Sequence, residues 1–248
     1  MKLESKLTWT PFELAWLFGF TLIGVALSIY LKSNALDFFS CVTGIICVII
    51  IAKGGVWNYP WGFVQGVAYT YVCYTTNVYS EFLLNFNYFL PAQIIGMVIW
   101  IQNMNKRTKE VRRRKISNWE LTCWMMAAFV ITGLYWLFLS VGDKYVAPVG
   151  VFIMGFSIVA MALMVTRSKH QWTFWTVVNV LTIYAYCKLW LTEDDKPNYL
   201  MASLFVVYLI NTVYGWVKWN KRELEDIAEA AAEKTANAVE EDAPASEA

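Results

Sequence analysis

Eight apolar runs of about 17 to 22 residues recur along this 248-residue chain, and most are separated by only a few residues. A transmembrane helix needs about 17–25 mainly apolar residues to cross the core of a bilayer. Hydrophobic residues make up 58% of the chain, whereas soluble domains contain roughly 45–50%. The sequence therefore predicts an all-α membrane protein with eight transmembrane helices. They cover about residues 11–31, 36–52, 57–77, 82–101, 119–140, 147–166, 172–190 and 200–218.

The basic residues fall on one side of this predicted bundle. Segment 105–115 carries seven Lys or Arg and one acid, and Lys53 and Lys218 fall on the same side of the eight crossings. The acidic run 193–195 falls on the opposite side. The positive-inside rule then predicts cytoplasmic N- and C-termini and a cytoplasmic basic loop. A nucleic-acid patch is the alternative for this loop, but anchoring to the anionic headgroups of the bilayer is favoured beside helix ends.

The two halves of the chain carry matching residues in the same order, which predicts an internal duplication. Because each half holds four crossings, the copies are parallel and are related by an axis along the membrane normal. Parallel repeats of this kind bind their substrate near the midplane, at the interface between the repeats. The matched sets are Glu13 and Trp16 with Glu120 and Trp124, Trp61 and Gln65 with Trp175 and Asn179, and Gly96 and Trp100 with Gly215 and Trp219.

Trp172, Trp175 and Asn179 follow the i, i+3, i+7 spacing of one helix face, so the seventh helix presents an aromatic wall beside a lone amide. Such a wall suits a neutral or delocalised-charge ring that also forms hydrogen bonds. A buried amide in a membrane must face a helix, water or a ligand. The further candidates for the binding site are Trp61, Gln65, Tyr88, Gln93, Asn211 and Tyr214. For Trp61 an interfacial position, and for Gln93 an interhelical hydrogen bond, remain open.

Several classes of function are disfavoured by what the sequence lacks. No Asp, Glu, Arg or His occupies the middle of a predicted crossing, although ion-coupled transporters rely on such groups. The chain has no Walker A motif for ATP-driven transport and no nucleophile–base arrangement for catalysis. Its five cysteines and single histidine show no metal-ligand spacing. The sequence therefore predicts a passive carrier that is not an enzyme and needs neither metal nor cofactor.

Over about residues 36–220, the chain resembles the PnuC family of bacterial vitamin transporters. Within this family it most resembles the members that transport nicotinamide riboside. The resemblance rests on WNYPWG at 57–62, on W-x-x-W-x-x-x-N from Trp172 to Asn179, and on N-x-x-Y-G at 211–215. It implies a fold similar to the SWEET sugar transporters, in which two three-helix bundles are joined by one linking helix. The implied parts are an additional N-terminal helix within 1–35, a first bundle at 36–101, a basic loop at 102–118, the link at 119–140 and a second bundle at 147–218. Apart from the resemblance, the Ala/Glu-rich helical pattern up to about Asn237 and the Pro-containing acidic end predict a mobile, acidic cytoplasmic tail at 223–248.

The same resemblance implies uptake of nicotinamide riboside by facilitated diffusion across the bacterial inner membrane, for NAD synthesis. A cytoplasmic ribosylnicotinamide kinase would phosphorylate the substrate and trap it, and family members look like homotrimers. Trp172, Trp175 and Asn179 match the ligand-binding motif of the family, and Gln65 and Gln93 stand where its members place amides toward the substrate. Two alternatives stay open: a carrier of another vitamin such as thiamine, and a membrane receptor or scaffold without transport.

Overall fold

A computed structural model describes residues 9–33, 35–75, 79–106, 108–140, 148–192 and 199–241. Every predicted apolar run is helical in these ranges, so the predicted all-helical architecture is confirmed. The β-type pairing found there is one isolated bridge between Met104 and Val111. The eight helices are α1 (Pro11–Tyr30), α2 (Ala35–Lys53), α3 (Asn58–Thr75), α4 (Tyr79–Leu84, Asn85–Phe89 and Leu90–Gln102 in succession), α5 (Asn118–Ser140), α6 (Pro148–Val165), α7 (Gln171–Thr192) and α8 (Tyr199–Glu241).

Four of these helices are both long enough and apolar enough to cross a membrane: α1, most of α4, α5 and α6. Helix α2 contains a shorter apolar stretch, Phe38–Lys53. Helices α3, α7 and α8 contain polar residues, such as Asn58, Asn179 and Asn211, and therefore have a lower mean hydropathy. The side chains of these three residues are buried. The protein is a multi-pass membrane protein, and the crossing of α2, α3, α7 and α8 stays a prediction.

The helices pack in a reciprocal pattern. Within each half, α2 contacts α3, α3 contacts α4, α6 contacts α7 and α7 contacts α8. Between the halves, α2 contacts α8 and α4 contacts α6, while α5 lies against α6. The two halves meet in a cluster of buried side chains. Its aromatic members are Tyr59, Trp100, Trp172 and Trp219.

Helix α1 is fastened to the other helices by one carboxylate. Thr10 and Glu13 form a capping box at its start, which satisfies backbone donors that the helix itself leaves open. Glu13 is only 5% exposed, and it forms ion pairs with Lys53 of α2 at 2.7 Å and with Lys218 of α8. The additional helix therefore carries part of a buried ion-pair cluster.

Helices α2 and α6 end in the same backbone turn. Gly54 and Arg167 both adopt positive φ, at 81° and 66°. At each of them, this residue and the next one donate the two backbone hydrogen bonds of a Schellman cap. In α2 the Gly54 and Gly55 amides donate to the carbonyls of Ile51 and Ile50; in α6 the Arg167 and Ser168 amides donate to those of Met164 and Leu163. The two turns occupy corresponding places in the two halves.

Helix α4 widens to admit a proline. The sequence predicts that Pro91 leaves a carbonyl of the preceding turn without its usual donor. Residues Asn85–Phe89 instead form a π-helical turn, in which the amide of Leu90 donates to the carbonyl of Asn85. The wider turn accommodates the proline where α4 reaches the centre of the molecule.

Candidate functional site

A cavity of about 190 Å³ lies between the two halves and is lined by residues of α2, α3, α4, α6, α7 and α8. A single water needs only about 10–15 Å³, so the cavity has room for a larger guest. None of the described residues that line it is charged. Six of the nine predicted binding residues line this cavity: Gln65, Gln93, Trp172, Trp175, Asn179 and Asn211.

The predicted stripe on α7 lies together on the cavity wall. Trp172 is 2% exposed and Asn179 is 3% exposed, and Trp175 lies between them on the same helix face. Trp172 is seated against Gly215 of α8, where an added Cβ would lie 2.6 Å from the indole ring. A glycine at that position therefore allows the indole to approach the backbone of α8.

Two buried polar atoms of the cavity residues have no hydrogen-bond partner among the described residues. They are Oε1 of Gln93 and Nε1 of Trp172, an acceptor and a donor contributed by the two halves. Gly62 makes room for the Gln93 amide, since a Cβ there would lie 2.8 Å from Nε2 and 2.9 Å from Oε1. Leaving such atoms unpaired costs about 1–3 kcal/mol each, so the cavity is suited to a ligand or water that pairs with them.

Gln65 and Tyr208 form a second polar pair in the cavity. The Gln65 amide donates to the Tyr208 hydroxyl at 3.4 Å, linking α3 of one half to α8 of the other. Both side chains lie over Gly44 of α2, where a Cβ would overlap the Tyr208 hydroxyl and would lie 2.7 Å from the Gln65 amide nitrogen. The lack of a side chain at Gly44 thus makes room for this pair at the cavity wall.

Asn211 lines the cavity, but protein groups already occupy its amide. Its Oδ1 accepts from the Trp16 indole of α1 at 3.4 Å, and its Nδ2 donates to the carbonyl of Val48 in α2 at 2.9 Å. It is fully buried. The geometry therefore gives Asn211 the task of joining α1, α2 and α8.

Three predicted residues lie outside the cavity lining. Trp61 is 38% exposed on the outer side of α3. The hydroxyl of Tyr88 donates to the carbonyl of Ile158 at 2.6 Å and ties α4 to α6. Tyr214 shares a helix face with Asn211, but the Tyr214 ring packs on α1. Its ring centroid lies 5.5 Å from that of Trp16.

Several residues of the cavity lining were not among the predicted ones, and those with an aromatic ring or a hydroxyl group are Phe89, Phe205, Tyr208 and Thr212. Three of them lie on α8 at i−6, i−3 and i+1 from Asn211, so the spacing around that asparagine was a usable signal. Thr212 bonds Thr176 of α7 at 3.2 Å. Phe89 gave no such signal, because the π-helical turn rotates it relative to a regular helix.

Indole rings close one end of the cavity. Trp172 contacts Trp219 edge to face at 6.0 Å, and Trp219 contacts Trp100 at 5.8 Å. The Trp219 indole donates to the carbonyls of Ile51 and Ala52 at the end of α2, and the Trp100 indole donates to Met164 at the end of α6. Each half thus caps a helix of the other half.

The described residues contain no group of three or more His, Cys, Asp or Glu side chains that could hold a metal ion. Cys47 is the cysteine among the cavity-lining residues; its thiol donates to the carbonyl of Asn58 at 3.3 Å. The site can therefore offer stacking, amide hydrogen bonds and shape, which are means of recognition.

The nicotinamide mononucleotide transporter family model matches residues 34–221. The chain belongs to the nicotinamide mononucleotide transporter family. It is therefore a membrane transporter and not an enzyme. Among relatives, the nicotinamide riboside transporter PnuC of Neisseria mucosa is 33% identical over 219 residues, covering 86% of this chain and 82% of the relative. The nicotinamide riboside transporter PnuC of Haemophilus influenzae is 29% identical over 227 residues, covering 89% and 95%.

The chain is also similar to a protein of known structure. The crystal structure of the vitamin B3 transporter PnuC superposes with a TM-score of 0.79 at 30% sequence identity. The match covers 88% of this chain and 94% of that one. The predicted resemblance to the PnuC family is confirmed by these comparisons.

Proposed function

We propose that this protein carries nicotinamide riboside across the membrane by facilitated diffusion. The observation that carries the proposal is the uncharged, indole-lined cavity between the halves, with an unpaired acceptor on Gln93 and an unpaired donor on Trp172. These groups lie in a chain whose family transports a nicotinamide compound and whose relatives are named for the riboside.

The chemistry of the riboside fits these groups. Its pyridinium ring is a flat cation, and stacking on Trp172 or Trp175 contributes about 0.5–2 kcal/mol through the cation–π interaction. Its carboxamide and ribose hydroxyls donate and accept hydrogen bonds. Gln93, Asn179 and Gln65 line the cavity within reach of a common guest.

The absence of charge among the described cavity residues favours the riboside over the mononucleotide named in the family model. A phosphate group carries up to two negative charges. Moving such a group into an apolar site without a cationic partner costs far more than burying a hydroxyl. Arginine or lysine would be expected in a cavity built for the phosphorylated compound.

The transport cycle in this proposal is a uniport on a SWEET-like core of two parallel three-helix bundles, α2–α4 and α6–α8, joined by α5. The matched turns after α2 and α6 support the duplication, as does the exchange of indole hydrogen bonds between the halves. Alternating access would arise from rocking of one bundle against the other around the central cavity. No ion-binding carboxylate among the described cavity residues couples this motion to a gradient.

The remaining parts of the proposal concern the cell. By the positive-inside rule, the side that holds Lys53, Arg113, Lys169 and Lys218 is cytoplasmic, as are both termini. The family resemblance adds the bacterial inner membrane, a homotrimer, and trapping of the riboside by a cytoplasmic kinase for NAD synthesis. Native mass spectrometry in detergent tests the trimer.

Counterflow in liposomes tests the proposed function. Vesicles that contain the purified protein and unlabelled nicotinamide riboside should accumulate the labelled riboside transiently, without ATP or an ion gradient. Binding without counterflow would favour the receptor or scaffold alternative. Thermal stabilisation by thiamine but not by the riboside would reverse the choice of vitamin.

A further inference from the structure

Arg113 is buried at the end of the cavity that the indoles close. It belongs to the linker, defined here as residues 108–117, which runs between α4 and α5. Its side chain is 2% exposed, and its guanidinium lies over the Trp219 ring at 5.2 Å from the ring centroid. One nitrogen donates to the carbonyl of Lys53 at 3.4 Å, in the last turn of α2. The cation thus meets the negative end of the α2 dipole.

The extension of α8 beyond Trp219 holds this arginine in place. Asp226 accepts a hydrogen bond from the backbone amide of Arg113 at 2.8 Å, and its carboxylate lies 3.8 Å from the guanidinium. Glu110 of the linker adds an ion pair at 3.0 Å. The prediction that the chain is mobile from residue 223 onward was wrong for this part, because Glu223 is 2% exposed and pairs with Lys169 at 2.8 Å.

The linker also ties together the matched turns of the two halves. The amide of Val111 donates to the carbonyl of Gly54 at 2.9 Å, and the amide of Arg114 donates to that of Arg167 at 2.9 Å. Gly54 leaves space for the arginine, since a Cβ there would lie 2.7 Å from its guanidinium nitrogen. One short segment therefore binds the ends of α2 and α6 while its arginine supports the indoles.

A short chain of contacts leads from Arg113 to the cavity. The guanidinium packs on Trp219, Trp219 packs on Trp172, and Trp172 lines the cavity. A path from the cavity to this face must separate the two halves where Trp100 and Trp219 cross between them. That separation must also release the linker from at least one of the two turns.

We propose that Arg113, clamped by Asp226 of the α8 extension, is a positioning residue that holds this end of the cavity closed, and that its release is a step in the exit of the substrate. The proposal rests on the proposed transport function. It gives Asp226 of the α8 extension a role in the transport cycle, since its carboxylate lies against the Arg113 guanidinium and accepts from the Arg113 amide.

Labelling of Cys47 measures the closure directly and does not need transport. Cys47 lines the cavity, whereas Cys41 lies on the same helix, is 1% exposed, and is outside the cavity lining. Inverted membrane vesicles would be treated with a membrane-impermeant maleimide, and the two cysteines followed separately by peptide mass spectrometry. The rate at Cys41 serves as the internal control for general loosening.

Asp226→Asn and Arg113→Gln should each raise the labelling rate of Cys47 by about tenfold, because each removes one charge from the contacts that hold the linker on the α8 extension, and should leave Cys41 unchanged. Glu225→Gln is the matched control on the same helical turn, because that side chain is 42% exposed and pairs only with Arg222 among the described residues. It should leave both rates unchanged. Arg113→Lys, which keeps the charge but not the planar fork, should give an intermediate rate.

An unchanged Cys47 rate in Asp226→Asn would overturn the proposal, as would an equal rise at Cys41. If Arg113→Gln does not fold, Asp226→Asn decides alone, because it keeps an acceptor for the Arg113 amide. Protection of Cys47 by nicotinamide riboside in the parent protein is measured in the same experiment. A lack of protection would contradict the proposed function, while the comparison of the variants would still test the closure.

Discussion

The cavity and the linker region treat their polar groups in opposite ways. In the cavity, the polar side chains are uncharged, and those of Gln93 and Trp172 keep an unpaired atom. In the linker region, which is the linker 108–117 with the α6–α7 turn and the α8 extension that pack on it, charged groups form ion pairs, as Arg113 does with Glu110 and Asp226, although Nε of Arg113 has no hydrogen-bond partner among the described residues. Both regions lie next to the same indole rings, so the difference does not arise from burial alone.

This difference separates groups that bind a guest from groups that hold the helices. A buried charge is tolerated only with a partner of opposite charge, and in the linker region that partner belongs to the protein itself. An uncharged amide can stay unpaired at a modest cost in free energy, and a ligand that forms the missing hydrogen bond on binding offsets that cost. Removal of a charged group should therefore weaken contacts between helices, whereas removal of an amide should affect recognition.

The largest effect is expected for Glu13→Gln. The substitution leaves Lys53 and Lys218 buried without their shared carboxylate, which should lower the free energy of unfolding by roughly 3–5 kcal/mol. Thermal unfolding of the purified protein in detergent measures this loss. Glu225→Gln, which breaks an exposed pair, should cost only about 0–1 kcal/mol. Equal melting temperatures for the two variants would show that the buried cluster does not stabilise the fold.

Asn179→Leu should have the next largest effect, and on binding alone. The leucine fills a similar volume but pairs with nothing, so affinity for nicotinamide riboside should fall by about 1–3 kcal/mol. Isothermal titration calorimetry gives the affinity, and thermal unfolding without ligand provides the control. An unchanged affinity would mean that this amide bonds only within the protein.

Gly62→Ala should have a smaller effect on binding. The added Cβ would lie 2.8 Å from the Gln93 amide, which is the flexible end of a side chain and can move aside. The fold should persist while affinity falls by about 0.5–1.5 kcal/mol, the value of one hydrogen bond. Gly133→Ala is the matched control, because nothing lies within 4 Å of a Cβ at that glycine. A similar loss of affinity in both variants would contradict this role of Gln93.

The smallest effect concerns pH and His170, which lies in the turn between α6 and α7. Burial, helped by the charge of Lys169 and opposed by Glu223, lowers the pKa of His170. The unfolded chain, with a histidine pKa of about 6.5, takes up the proton first as the pH falls. Acidification below about 6.5 should therefore reduce stability, and His170→Gln should reduce that dependence. Melting curves at several pH values measure it, and an unchanged pH slope in the variant would contradict the assignment.

Helical periodicity was sufficient to predict the wall that α7 contributes to the cavity. The spacing of Trp172, Trp175 and Asn179 puts them on one helix face, and all three line the cavity together. Spacing also grouped Asn211 with Tyr214, but it could not tell which neighbour the group faces. In the structure Tyr214 contacts α1, and the cavity receives Tyr208 from the same helix.

The interactions of the linker region could not be predicted from the sequence, for a different reason. Its interactions join segments far apart in sequence, such as Arg113 with Asp226, and the same holds for the ion pair of Glu13 with Lys53 between α1 and α2. Composition alone made 105–115 a basic surface for anionic headgroups and made 223–248 an acidic tail. Opposite charges on two predicted surface segments of the same side were nevertheless a usable hint that they pair.

The central claim is that the cavity is built for an uncharged or cationic nucleoside and not for its phosphate. Calorimetric titration of the purified protein with nicotinamide riboside and with nicotinamide mononucleotide, under identical conditions, tests it directly. The riboside should bind at least roughly a hundredfold more tightly, a difference of about 2.7 kcal/mol that reflects the unpaired phosphate. Equal or tighter binding of the mononucleotide would contradict the account.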